Sequence, residues 1–286
     1  MGRRDGYITG VPCWVDTSHA DQEAVLPFYR AVFGWQFENV MPADAASKYF
    51  EARINDGAVA AIGATPPGDP PPARWKTYIW VDDADDAVAK ARTAGGQVAV
   101  EPFDVGDFGR MAVLTDPEGA TFCVWQAKEH KGATVVNEHG ALNFNGLATR
   151  DPESAQAFYG AVFGWKILPL PFGMAWALPG YGDHLEERSP GLRARMAQMG
   201  PPDGFIDVVA AIEPIEDDDS EKAAHWTVTF GVDDVESAVS EARQFGGEIV
   251  AGPFDAPWSR VAVIKDPQGA IFTVSQFVLD NKDFKG

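Results

Sequence analysis

Cysteine is nearly absent from this chain: Cys13 and Cys123 are too few for a disulfide framework. Strand alternation puts Cys123 toward a concave interior and Cys13 on the opposite face, so both are expected to stay thiols. Cations are scarce too, with 23 Lys and Arg against 42 Asp and Glu and a net charge of −19. A surface of that sign repels a phosphate backbone, so nucleic acid is not an expected partner. No apolar run approaches the ~18 residues of a bilayer span. No apolar signal core follows Arg3 and Arg4. No membrane partner is therefore expected, and the cytoplasm is the expected location. The chain also lacks a Ser-His-Asp order, a phosphate-cradling glycine loop and a paired-cysteine motif. What it holds in quantity is apolar and aromatic, 45% apolar with nine Trp, which excludes a disordered chain. Its 286 residues suffice for two ordinary domains, each expected to have its own core.

One stretch recurs. Residues 28–35 read FYRAVFGW and residues 158–165 read FYGAVFGW, identical at seven of eight positions with an offset of 130. Asp21 and Asp151 each stand seven residues before the Phe and read as helix N-caps, accepting from the first free N–H groups. Phe28, Val32 and Phe33 follow on one helical face, as do Phe158, Val162 and Phe163. Gly34 and Gly164 stop the helices, and Trp35 and Trp165 are expected to pack them onto a sheet. A second set of echoes is Val81-Asp82-Asp83 with Val232-Asp233-Asp234, and Gly95-Gly96 with Gly246-Gly247. Pro102-Phe103-Asp104 returns at 253–255, and Arg110, Asp116-Pro117 and Gly119 return as Arg260, Asp266-Pro267 and Gly269. Colinear echoes of this length mean a duplicated domain.

Each half of a repeat reads β-α-β-β-β, with Asn55-Asp56-Gly57 as a hairpin turn and Asp116 to Gly119 as a turn before the last strand. The expected fold class is therefore α+β: two tandem domains, each a pair of βαβββ units forming a curved, cup-like eight-stranded mixed sheet. The expected organisation is an arm over 1–10, a first domain over 11–127 and a linker over 128–140. A second domain over 141–278 carries an insertion around 180–224, and a tail runs over 279–286. The Pro-rich stretch at 65–72 joins the halves of the first domain. The acidic run at 216–221 reads as a solvated loop tip.

The βαβββ repeat, the Asp-x6-Phe-Tyr helix, the Val-Asp-Asp strand end and the Asp-Pro-x-Gly turn resemble the vicinal oxygen chelate superfamily. That group includes glyoxalase I, bleomycin-resistance proteins, extradiol dioxygenases and methylmalonyl-CoA epimerase. The likeness covers nearly the whole chain twice and is nearest to tandem two-domain bacterial members labelled glyoxalase/dioxygenase-like or hydroxylase. The resemblance implies a divalent metal held by His, His and Glu on inward strands. Carried over one position at a time, those ligands fall on Trp14, Lys76 and Cys123 in the first domain. In the second they fall on Phe144, Thr227 and Thr273. None of the six is His, Asp or Glu, so the expectation is no cofactor, with a divalent metal as the alternative.

The inward faces are expected to form ligand sites instead. The first domain offers Trp14, Asp16, Lys76, Tyr78, Trp80, Cys123 and Trp125; the second offers Phe144, His225, Thr227, Thr229, Thr273 and Ser275. Rings with a few polar groups suit a flat organic ligand. The plain alternative is that the rings only fill a cup. Arg110 and Arg260 are expected to pair with Asp104 and Asp255 or to meet ligand. Three functions remain open at this stage. One is a metal-free binder of a small aromatic or antibiotic-like metabolite. Another is a metal-dependent lyase or extradiol-type dioxygenase. The third is a metal-free hydroxylase or isomerase with Asp16, Lys76 or His225 as acid or base. The partner is a small molecule, the enzyme classes in play are lyase and oxidoreductase, and the chain is expected to be a monomer or a homodimer. The first domain's cup, richer in Trp, is the expected receptor.

Overall fold

The computed structural model describes residues 4–65, 73–216 and 222–284. Nearly all of the Pro-rich stretch, and the acidic run beyond Glu216, lie outside them. The helices form where the capping residues place them. α1 (Gln22–Phe33) starts at Asp21, whose carboxylate accepts from the Ala24 N–H, and stops at left-handed Gly34. α2 (Ala84–Thr93) starts at Asp83, α3 (Pro152–Phe163) at Asp151 and α6 (Val235–Gln244) at Asp234. Two short helices, α4 (Tyr181–Arg188) and α5 (Leu192–Ala197), lie between α3 and α6.

The strands make two mixed sheets of eight. Sheet one runs β2 (Gln36–Asn39), β3 (Tyr49–Ile54), β4 (Gly57–Ala64), β1 (Pro12–His19), β5 (Trp75–Trp80), β8 (Thr121–Ala127), β7 (Gly109–Thr115), β6 (Gln97–Val105). Sheet two repeats that order: β10 (Lys166–Leu170), β11 (Gly173–Ala177), β12 (Val208–Pro214), β9 (Leu142–Thr149), β13 (His225–Gly231), β16 (Ile271–Phe277), β15 (Ser259–Lys265), β14 (Glu248–Ala256). The sequence region taken as an insertion at 180–224 is thus only partly extra. Its residues 208–214 form a core strand parallel to β9, and the added helices occupy the connection from β11 to β12.

The sheets stand back to back. β5 and β13 touch at their centres, where Asn145 donates to Thr77 Oγ1 at 2.9 Å with both side chains buried. Away from that line the sheets diverge, and helices fill the gaps, α1 with α6 on one side and α2 with α3 on the other. The helix-free faces therefore point outward and are concave.

The expectation of one core per repeat is corrected here. One cluster joins Phe28, Tyr29 and Phe33 of α1 to Phe230, Ile264 and Phe272 of sheet two. The other joins Ile79, Leu114 and Phe122 of sheet one to Phe158, Tyr159 and Trp176 of the second repeat. α2 and α6 lie on their own sheets, while α1 and α3 also send their rings against the other repeat's sheet, so neither repeat covers its apolar face alone. Burying each such ring stabilises by about 1.5–3 kcal/mol.

The repeated motifs are the parts of this interlock. A Cβ on Gly96 would sit 2.6 Å from the Phe158 ring, and one on Gly247 2.6 Å from Phe28. The second glycine of each Gly-Gly pair is there because a Phe of the opposite repeat needs the space. Trp35 stacks on Tyr29 at 5.2 Å and donates to the Gly140 carbonyl; Trp165 stacks on Tyr159 at 5.3 Å and donates to Gly10.

Candidate functional site

The first cup is built around Asp16 in the middle of sheet one. β1 pairs with β5 so that Trp14 lies opposite Tyr78 and Asp16 opposite Lys76, and β5 pairs with β8 so that Tyr78 meets Cys123 and Trp80 meets Trp125. Strand alternation puts Trp14, Asp16, Lys76, Tyr78, Trp80, Cys123 and Trp125 on one face, as the sequence implies. Asp16 Oδ2 accepts from the hydroxyls of Tyr78 at 2.7 Å and Tyr49 at 3.1 Å. Trp14 donates to Tyr49 at 3.2 Å, and Lys76 lies 3.8 Å from Asp16 Oδ1 and donates to Ser18. Burial, then the adjacent carboxylate, holds both phenols well above their usual range, so they are donors at any working pH.

This cup is closed. Trp14 is 3% exposed and Trp125 5%. The segment at 128–136, expected to be a plain linker, folds back as a strap across it. Its His130 imidazole meets Trp14 edge-on at 4.5 Å, and its carbonyl accepts from Trp125 Nε1 at 3.0 Å. Ala133 donates to the Cys13 carbonyl and Thr134 to that of Ala58, each at 2.8 Å. Tyr7 of the N-terminal arm donates to the Ala133 carbonyl and lies against Trp80. Burial holds the His130 imidazole down to about 4, with Asp16 opposing, so it is neutral near pH 7. Both cysteines are free and belong to this same cluster. The irregularity in β1 between Pro12 and Trp14 breaks the strict alternation that put Cys13 on the far face. Burial pushes the Cys123 thiol up to about 12.

The second cup has the same framework and different filling. Asp16 is replaced by Gly146, where a Cβ would lie 2.3 Å from a Glu213 oxygen, and Glu213 accepts from Thr227 at 2.7 Å. Trp14, Tyr78, Cys123 and Trp125 correspond to Phe144, Thr229, Thr273 and Ser275. These four are partly accessible, and Phe254 and Phe277 on the same face are 46% and 60% exposed. His225 starts β13 opposite Ala148, with Nδ1 at 2.8 Å from the Ala223 carbonyl. It and Asp16 sit on different sheets and do not meet.

The divergence has a definite starting point. In repeat one Lys128 donates to the Phe108 carbonyl, and the strap then crosses the cup; in repeat two Val278 donates to the Trp258 carbonyl at the matching turn. There residues 279–283 form a single 3-10 turn that bonds back onto the hairpin, and among the described residues no strap like 128–136 crosses the cup.

The metal positions implied by the resemblance do not fit a metal. Trp14, Lys76 and a thiol pushed to about 12 offer no accessible anionic or imidazole donor. Phe144 and two Thr hydroxyls offer none either. Among the described residues no three His, Cys, Asp or Glu side chains converge. The arginines are ion-paired on the outside: Arg110 to Asp85 at 2.8 Å with Asp104 at 3.6 Å, Arg260 to Glu236 at 2.6 Å and Asp255 at 3.1 Å. Two shallow surface depressions lie between α2 and α3 and between α1 and α6, away from both cups. Sequence reasoning missed Tyr49, His130 and Glu213. Nothing in a linker marks His130 as a lid, while Tyr49 stood on an expected strand whose facing partner was not evident.

Comparison with known proteins agrees with this architecture. A sequence model of the Glyoxalase/Bleomycin resistance protein/Dioxygenase superfamily matches residues 15–124 and again 141–274. A Mycobacterium bovis protein named as a glyoxylase, CFP32, is 40% identical over 279 residues, spanning 96% of this chain and 97% of its own. The anthracycline biosynthesis protein DnrV of Streptomyces peucetius is 32% identical over 282 residues, 94% of each chain. In solved structures, a Mn(II)-bound glyoxalase from Novosphingobium aromaticivorans shares the fold at TM-score 0.59 and 16% identity, over 96% of this chain and 83% of that one. With a duplicated fold and a family match over both copies, the chain belongs to the Glyoxalase/Bleomycin resistance protein/Dioxygenase superfamily.

Proposed function

We propose that this protein binds a small, flat, oxygen-bearing aromatic molecule on the free face of sheet two, without the family's metal. The observation that carries the reading is the contrast between the cups. One is filled by its own rings and the strap, while the other leaves Phe144, Phe254 and Phe277 accessible among Thr and Ser hydroxyls. Rings supply stacking surface and hydroxyls supply hydrogen bonds at a floor, the usual composition of a small-molecule site. This moves the receptor from the first cup, where the sequence alone put it, to the second. The relative named for anthracycline biosynthesis supports a fused-ring ligand. Glu213, bonded to Thr227 on the accessible face, favours a second reading, a metal-free hydroxylase or isomerase that binds there and uses Glu213 as base.

The test is a titration with 1,4-dihydroxyanthraquinone of protein dialysed against chelator. Saturable binding of one equivalent, with a dissociation constant changed less than about twofold by added Zn²⁺, Ni²⁺, Mn²⁺ or Fe²⁺, is the expected result. Binding that appears only after metal is added would overturn the metal-free reading.

A further inference from the structure

The outermost strands of sheet two, β10 and β14, lie at opposite ends of the hydrogen-bonded order, yet their hairpin turns touch. The Phe172 ring, at the β10–β11 turn, meets the Trp258 ring, at the β14–β15 turn, with centroids 5.3 Å apart at 62°. For the two ends of one sheet to meet, the sheet must curl around its free face, so this contact spans the opening of the second cup. Phe172 is exposed, and Trp258 is partly accessible.

Trp258 is also held in an unusual backbone state. Its φ is 54°, a strained left-handed conformation that a bulky side chain rarely takes. Asn281 holds it there: its carbonyl accepts from the Trp258 N–H at 3.2 Å. Its amide donates to Asp255 at 3.1 Å and to the Ser259 carbonyl at 2.9 Å, on either side of the turn. An ordinary two-residue turn would place Gly or Asn at such a position. Keeping a large ring where the backbone disfavours it points to use of the ring.

We propose that Phe172 and Trp258 form an aromatic clamp over the second cup, which opens to admit a planar ligand and closes with Trp258 against its face. Asn281 is the positioning residue that sets the turn. The occupant is a small planar molecule and not a protein segment, because an opening spanned by two side chains does not admit a folded surface. This inference rests on the proposed function. In the first cup the corresponding turn carries Phe108, whose carbonyl anchors the strap instead.

The experiment measures 1,4-dihydroxyanthraquinone binding by calorimetry for the full chain and four variants: Trp258→Asn, Phe172→Ala, Phe144→Ala and Trp14→Ala. Asn relaxes the left-handed backbone while removing the ring, so Trp258→Asn separates the ring from the strain. The clamp predicts that Trp258→Asn and Phe172→Ala each weaken binding about tenfold or more and speed release, with the melting temperature unchanged. Phe172→Ala, on an exposed tip, keeps the test valid should Trp258→Asn fold poorly. Unchanged affinity in both, with loss in Phe144→Ala, overturns the clamp and leaves the second-cup reading standing. Loss in Trp14→Ala alone, or no binding by the unaltered protein, overturns both.

Discussion

The Tyr29 hydroxyl of the first repeat donates to Asp266 Oδ2 of the second at 2.8 Å, and Tyr159 of the second donates to Asp116 Oδ2 of the first at 3.0 Å. The other oxygen of each Asp accepts from the backbone of its own turn, Glu118 and Ala120 in one case, Gln268 and Ala270 in the other. The Phe-Tyr helix and the Asp-Pro-x-Gly turn are thus two ends of one device, made twice, that locks the repeats together. All four groups are buried, so removing a hydroxyl leaves a carboxylate short of a donor. Tyr29→Phe and Tyr159→Phe should each cost about 1–3 kcal/mol. Urea unfolding should show one cooperative transition moved to lower concentration. Two separated transitions would contradict the shared core.

The strap over the first cup depends on Gly132. Its φ is 80°, and a Cβ there would lie 2.4 Å from the Cys13 carbonyl oxygen. Gly132→Ala should therefore unseat the segment at a cost above about 2 kcal/mol. Trp14 and Trp125 would then gain solvent, and tryptophan emission should shift red. Unshifted emission with unchanged stability would mean that the strap does not cover those rings.

Acid should weaken the fold through its buried histidines. His130 and His19 are both held below the usual histidine value chiefly by burial, His130 to about 4. A lowered folded value means the unfolded chain takes up the proton first, so stability is full above about pH 6.5 and falls as pH drops from there toward 4. After allowance for solvent near His130, its share is on the order of 1–2 kcal/mol. His130→Phe keeps a ring against Trp14 and removes the titration, and should flatten the stability profile over that window. A profile as steep as that of the unaltered protein would contradict the assignment.

Much of this fold was legible before the coordinates, because capping and glycine chemistry is local. Asp21 and Asp151 cap helices as their positions imply, and Asn55 and Asp56 take the positive φ of a tight hairpin. The inward set Trp14, Asp16, Lys76, Tyr78 and Trp125 follows from alternation alone. What alternation does not carry is the third dimension. It cannot say that Phe28 packs against Gly247 and not against its own repeat, since both copies bear the same motifs. Nor does it reveal that residues 128–136 return over the first cup, because that path is set by backbone hydrogen bonds to Cys13 and Ala58. The ring-rich first cup reads as a receptor from sequence because the strap and the rings that fill it are not visible there.

The central claim, that the second cup is the receptor, is tested most directly by filling it. Ser275 corresponds to Trp125, the ring that helps to fill the first cup. In a titration with 1,4-dihydroxyanthraquinone, Ser275→Trp should weaken binding by about a hundredfold or abolish it while the melting temperature holds, and Trp14→Ala should leave affinity within about twofold. Full binding by Ser275→Trp, with loss in Trp14→Ala, would contradict the account.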